Sequence, residues 1–334
     1  MTFQHRILGF PKVETAERLL EADDTVVLLG SCFSENIGAR LQRLYHPAVV
    51  NPLGIAFDPN SLLKHLKQAF SAEEEDTFFE RDGIYLSWLH HSAFYAVSKE
   101  ALKEKIQHAS NVLKKSVLEA GLIVITLGTA YYYVLKNEQL PVANCHKMPS
   151  GIFEKRLLAP SDVERVLEES IALISQKNSR ASIVLTVSPV KHLRDGVVQN
   201  TRSKAHLLAA VHSVVDRHKQ VFYFPSYEII TDVLRNYEYY EDDMAHPTKK
   251  AIDIVFEYFV NTWATKNTQK RFTRIDQFLK NLNHQIRIPE AESARRWFLQ
   301  LKNEKEQLLK EFGIELSRED DDLWKALSAL FERQ

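Results

Sequence analysis

The sequence predicts an α/β fold built on a parallel, doubly wound sheet. Unbroken apolar runs recur along the chain, segments with helical periodicity separate them, and Gly or Ser-Pro turns stop them. An apolar run without polar alternation suits a strand covered on both faces, and repeated strand–helix alternation gives parallel neighbours.

The first run, Thr25 to Leu29, stops at Gly30. Ser34 to Leu44 reads as a helix with Ile37, Leu41 and Leu44 on one face, and Ala48 to Val50 as a short second strand. Leu102, Ile106, Ala109, Leu113 and Val117 recur at helical spacing. Gly121 is expected to end that helix before a strand over Leu122 to Leu127. Ser161-Asp162-Val163-Glu164 has capping-box form and starts a further helix. Ser182 to Val187 reads as strand, Thr201 to His218 as helix and Val221 to Phe224 as strand. Pro247 suits the first turn of a helix reaching about Trp263. From Lys266 to Gln334 the chain is charged and helical, with Leu301, Leu308, Leu309, Leu323, Trp324 and Leu327 as apolar anchors. These helices either pack back on the sheet or form an arm for self-association. The expected division is therefore 1–265 and 266–334.

Hydrophobic residues make up 45% of the 334 and charged residues 26%, an ordinary globular balance. With 43 basic and 44 acidic residues the net charge is −1, so charge gives no case for nucleic acid or an anionic membrane as partner. Two cysteines, Cys32 and Cys145, make no disulfide framework and fit a reducing compartment. Met1 to Pro11 lacks the apolar core of a signal peptide, and the apolar stretch Leu122 to Leu135 is too short to span a bilayer. A cytoplasmic location is expected.

Ligands of a parallel α/β sheet bind beyond the carboxyl ends of the strands. The segments there are Gly30-Ser31-Cys32-Phe33-Ser34, Gly128-Thr129-Ala130, Ser188-Pro189-Val190-Lys191-His192 and Asp243-Met244-Ala245-His246-Pro247. Gly30 allows a sharp bend, and the next residues fall at a helix N-terminus whose N–H groups can hold an oxyanion. The helix dipole there is expected to favour a thiolate at Cys32. The plainer alternative is that Ser31 caps the helix and Cys32 fills space. Asp243 and His246, three residues apart, can place a carboxylate on Nδ1 of an imidazole and leave Nε2 free to take a proton from Ser or Cys.

The chain resembles the GSCFA family, a branch of the SGNH (GDSL) hydrolase superfamily. The resemblance rests on Gly30-Ser31-Cys32-Phe33 (with Ser34 where the family name carries Ala), Asn51-Pro52-Leu53-Gly54, His91-Ser92 and Leu127-Gly128-Thr129-Ala130. It extends to Ala143-Asn144-Cys145-His146-Lys147, Ser188-Pro189-Val190, Asn200 with Ser203-Lys204, and Asp243-Met244-Ala245-His246-Pro247. It covers roughly residues 25 to 260. It implies a three-layer α/β/α sandwich with a flavodoxin-like parallel sheet, SGNH hydrolase-like, here with a C-terminal helical extension.

It also implies site residues. The superfamily's Gly-Asp-Ser block falls on Gly30, Ser31 and Cys32, which makes Cys32 the nucleophile by register; a shifted turn would make it Ser31. An oxyanion glycine falls on Gly54. The Gly-x-Asn block falls on Gly128-Thr129-Ala130 and lacks its Asn, leaving Thr129, Asn144 or Asn200 as replacement donors. The Asp-x-x-His block falls on Asp243 and His246 unchanged. His146 and His192 are expected to line the pocket. No spacing links His90, His91 and His192 as metal ligands, and neither metal nor cofactor is implied.

The expected activity is hydrolysis or acyl transfer on an ester or thioester of a small molecule, an acylated carbohydrate among the candidates. The second reading is a catalytically silent fold that binds a glycan or a protein partner.

Overall fold

The apolar run after Asp24 forms β1 (Thr25–Gly30) in the computed structural model, which describes residues 9–16, 19–71 and 77–332. It is followed by α1 (Cys32–Arg43), β2 (Ala48–Val50) and α2 (Pro59–Phe70). A small antiparallel sheet comes next, from β3 (Phe78–Arg81), β4 (Ile84–Ser87) and β5 (Tyr95–Ala96). Then α3 (Lys99–Glu119) leads into β6 (Ala120–Leu127), and a second small sheet is made of β7 (Tyr131–Leu135), β8 (Leu140–Val142) and β9 (Phe153–Leu157). The chain returns through α4 (Pro160–Lys177), β10 (Ser182–Val187), α5 (Val197–Val215), β11 (Val221–Tyr223) and the one-turn α6 (Ser226–Glu228) to α7 (Lys249–Trp263). The tail is α8 (Lys266–Leu282), α9 (Glu292–Phe312) and α10 (Arg318–Glu332).

The five long-range strands lie in the order β2-β1-β6-β10-β11, all parallel. In chain order this is 2-1-3-4-5, the flavodoxin-like winding, with its switch point between β1 and β6. Successive side chains of β1 point to opposite faces. Val27 and Leu29 meet α2, α3, α4 and α5 through Leu66, Leu113, Leu167 and Val211. Val26 and Leu28 belong to the other layer, with Ile37 and Leu41 of α1 and Val255 and Phe259 of α7. That double coverage makes the runs uniformly apolar and gives the three-layer α/β/α sandwich its two cores.

The tail joins the second core. Phe272, Ile275 and Phe278 of α8, Leu301 and Leu308 of α9 and Leu327 of α10 are buried there, whereas Leu309 remains about half exposed. Asp320 of α10 is buried and accepts from Arg43 Nη1 (2.6 Å) and Tyr45 Oη (2.5 Å), just beyond the C-terminal end of α1.

Several local expectations need correction. α1 begins at Cys32 rather than Ser34, because Ser31 already serves as its N-cap. Gly121 lies inside β6, where an added Cβ would come within 2.8 Å of Asp24, rather than ending α3. The Ser161 capping box is unused: α4 starts at Pro160, whose missing N–H suits the first turn, and its N-cap Ala159 makes no side-chain bond. α5 starts at Val197, not Thr201. Pro247 precedes the Thr248 cap of α7 instead of occupying its first turn. No helix among the described residues is long and apolar enough to cross a membrane.

Candidate active site

The Gly30 turn sits at the switch point. Gly30 has φ +123°, and a Cβ there would lie 2.1 Å from the Thr126 carbonyl oxygen. Its N–H donates to Asn51 Oδ1 (2.8 Å), and the Ser31 N–H donates to Thr126 O (3.1 Å). Only glycine meets both the left-handed φ and the backbone approach. Gly30→Ala should therefore lower unfolding free energy by about 3 kcal/mol or more. A urea midpoint indistinguishable from the parent would contradict this.

The turn separates the roles of its two nucleophile candidates. Ser31 is 1% exposed, and its Oγ accepts from the Phe33 N–H (3.3 Å). Ser34, one turn into the helix, is tied down through Oγ to Leu29 O and Thr126 Oγ1. Cys32 is a free, half-buried thiol on the first residue of α1. Burial, and next the Glu35 carboxylate, push its pKa up; the N–H groups of Cys32 and Phe33 and the Lys204 charge oppose this without overcoming it. The thiolate expected from the helix dipole is thus not the resting form: the cost of desolvating a charge exceeds the gain from a helix end.

Asp243 and His246 occupy the loop before α7. Asp243 Oδ1 accepts the N–H groups of Ala245 (2.8 Å) and His246 (2.9 Å), and Oδ2 lies 2.6 Å from His246 Nδ1. A carboxylate can only accept, so Nδ1 carries the proton of this pair and Nε2 lies outside it. These bonds hold the Asp243 carboxyl down to about 2. The loop is braced by Glu241 N–H to His246 O and by Lys191 N–H to Ala245 O. The His246 ring is half exposed, and no hydrogen bond joins it to Ser31 or Cys32 among the described residues. It lines a groove of about 1140 Å³ with Asn36, Arg40, Glu241, Lys249 and Phe256. Asn36 Nδ2 in turn donates to the Cys32 carbonyl (3.1 Å).

The remaining expected residues fall into two groups. One lies at the ends of β6 and β10. There the Gly128 and Thr129 N–H groups both donate to Phe57 O, and Thr129 Oγ1 pairs with Ser203 Oγ (3.0 Å). Asn200 Oδ1 accepts the His192 N–H (2.9 Å). Burial and then the Lys204 charge drive the His192 ring down to about 4. Gly54 lies after β2 with φ +88°, and its N–H is committed to Asn51 O (2.8 Å). The Cys32 N–H, by contrast, meets no protein acceptor among the described residues.

The other group is held around Trp88. Asn144 Oδ1 accepts the His146 N–H (2.7 Å), His146 Nε2 donates to Ser87 O (2.9 Å), and the ring stands edge-on to Phe79 and Trp88. His90 is fixed between Ser87 Oγ and Gln68 Oε1. Among the described residues no cluster of His, Cys, Asp or Glu has the makings of a metal centre.

Two neighbours of the turn, named only among the residues that carry the resemblance, were given no role from sequence. Asn51 braces Gly30 through its side chain. Lys204 is fully buried on α5 and donates to Gly128 O (2.6 Å) and Ser188 O (2.7 Å). Its signal was available: it occupies the apolar stripe that continues through Leu207, Val211 and Val214.

The sequence pattern of the GSCFA family matches residues 25–259. No curated protein matches the chain. Among solved structures, an acetyl xylan esterase (Est2A) from the rumen bacterium Butyrivibrio proteoclasticus is similar, with 10% identity and a TM-score of 0.41 over 76% of this chain and 67% of that one.

Proposed function

Since the chain belongs to the GSCFA family, we propose that it is an acyl-transfer enzyme of the SGNH hydrolase type that cleaves an ester or thioester through Cys32, His246 and Asp243. The observation that carries this reading is the Asp243–His246 pair, oriented with Nδ1 on the carboxylate (2.6 Å), in a loop held by the Lys191 N–H beyond the carboxyl end of β10, as the Gly30–Cys32 turn lies at that end of β1. Cys32 is preferred to Ser31 because a nucleophile must meet its substrate, and the Ser31 hydroxyl is enclosed and capping α1.

In the first half-reaction Cys32 Sγ attacks the acyl carbonyl while His246 Nε2 takes the thiol proton. The Cys32 N–H donates to the oxyanion. The tetrahedral adduct then expels the alcohol or thiol, which receives the proton from His246, and leaves a thioester on Cys32. A water or acceptor hydroxyl, deprotonated by His246, attacks the thioester and returns Cys32 to the thiol. Apo sites often leave such hydrogen bonds open until substrate arrives. The groove beside His246 mixes apolar walls with Asn36, Arg40, Glu241 and Lys249, groups that could hydrogen-bond a hydroxyl-rich leaving group such as a carbohydrate.

The second reading, a silent binding fold, is favoured by the missing His246–Cys32 hydrogen bond and by the raised thiol. Rapid quenching with an activated acyl ester, followed by peptide mass spectrometry, separates the two. The enzyme reading expects an acyl mass on Cys32 that decays with turnover. A protein that binds the ester and never carries the acyl group would leave the binding module.

A further inference from the structure

An ammonium group taken out of water is costly unless it is paired. Lys204 is 1% exposed, and among the described residues no carboxylate pairs with it. Its two hydrogen bonds go to the backbone carbonyls of Gly128 and Ser188, the first residues beyond β6 and β10. Both belong to the carboxyl edge. β6 is also the strand whose Thr126 carbonyl receives the Ser31 N–H on its other side. Lysine has three N–H donors, and two are used, so one remains without a protein acceptor among the described residues.

We infer that Lys204 is a positioning residue of this site: it ties together the strand ends beside the Cys32 turn and stabilises negative charge formed on Cys32. The inference rests on reading Cys32 as the reacting group. The charged groups facing Cys32 are Glu35 from its own helix, which opposes ionisation, and Lys204 from α5, which favours it. Lys204 in turn faces Cys32 and His192. Burial brings the Lys204 ammonium down to about 7, and a thiolate at Cys32 raises it. A purely structural strap would need only the two carbonyl bonds. A cation facing a thiol does more: it makes thiol ionisation and lysine protonation depend on each other.

The test follows alkylation of Cys32 by iodoacetamide in full-length Cys145→Ser protein, read by peptide mass spectrometry from about pH 6 to about pH 10. Lys204→Met should slow alkylation near neutral pH about fivefold and so move the neutral limb of the rate profile up, the difference fading at alkaline pH where Lys204 has lost its charge. An unmoved profile overturns the inference. Should Lys204→Met fail to fold, the unsubstituted lysine gives the answer. Coupling between two sites is reciprocal, so a fixed carboxylate at position 32, in Cys32→Asp, should raise the Lys204 titration seen by ¹⁵N-lysine NMR, and an unchanged titration overturns the inference. An unmoved profile in a protein that still turns over acyl esters removes the role of Lys204 and spares the enzyme reading. A shifted profile in a protein without acyl transfer does the reverse.

Discussion

Cys32→Ala should reduce turnover of an activated acyl ester by about 10³-fold or more, because removing one member of a nucleophile–base unit disables the whole unit. His246→Ala should cost about as much, and Asp243→Ala less, since an orienting carboxylate is less essential than the base it orients. Ser31→Ala is the informative control. It should retain most activity and lose about 1 kcal/mol of stability, the ordinary value of an N-cap hydroxyl. If Ser31→Ala is inactive while Cys32→Ala works, the nucleophile assignment moves to Ser31, and the burial argument against Ser31 is wrong.

A steep loss of stability below neutral pH is the second large effect. His46 and His65 are 3% and 4% exposed, and burial drives both rings from the ordinary histidine value of 6.5 down to about 4. Among the described residues neither nitrogen of His46 has a partner at ordinary hydrogen-bond geometry, while His65 Nε2 donates to Leu89 O (3.0 Å). Between these two values the unfolded chain binds more protons than the folded one, so stability rises with pH across that window. The contribution is whole above about pH 6.5, falls as the pH drops, and is gone below about pH 4. Each histidine accounts for about 3 kcal/mol at the acid end. Two together approach the entire stability of a typical domain. Urea midpoints measured across the window should fall accordingly, and His46→Leu should flatten part of the slope. A midpoint that stays level from neutral pH to about pH 4 would show that both rings protonate freely in the fold. His90 adds in the same direction, its ring lowered first by burial and then by the charge of His65.

What was readable in the sequence follows the range of the interactions involved. β1, β6 and β10 announce themselves because strands buried on both faces must be apolar throughout, and their order could be read as parallel from the helices between them. Asp243 and His246 are three residues apart, so their pairing is a local matter. α2 was passed over although Asp58, whose side chain caps the helix, stands directly before Pro59 at its first turn. The short strands of the small sheets carry little pattern: β9 reads Phe-Glu-Lys-Arg-Leu, with two exposed charged residues in the middle. What remained hidden depends on which strand ends become neighbours. No spacing rule connects Phe57 to Gly128 and Thr129, or Lys204 to Gly128 and Ser188. The choice among Thr129, Asn144 and Asn200 as donor in place of the missing Asn met the same limit: Thr129 pairs with Ser203, and Asn144 and Asn200 each accept a histidine backbone N–H through Oδ1.

The segment after β2 crosses the carboxyl ends of two strands, β1 and β6. Asn51 N–H donates to Leu28 O, Ala56 N–H to Gly30 O, and Phe57 O accepts from Gly128 and Thr129. During synthesis the chain emerges N-terminus first, so Cys32 leaves the ribosome well before the segment that holds its turn from the β6 side, and longer still before His246. Until those parts arrive, Cys32 is an ordinary cysteine on an unsupported turn. On the proposed reading its chemistry is therefore acquired late and together with the sheet, which spares the growing chain from carrying a working nucleophile.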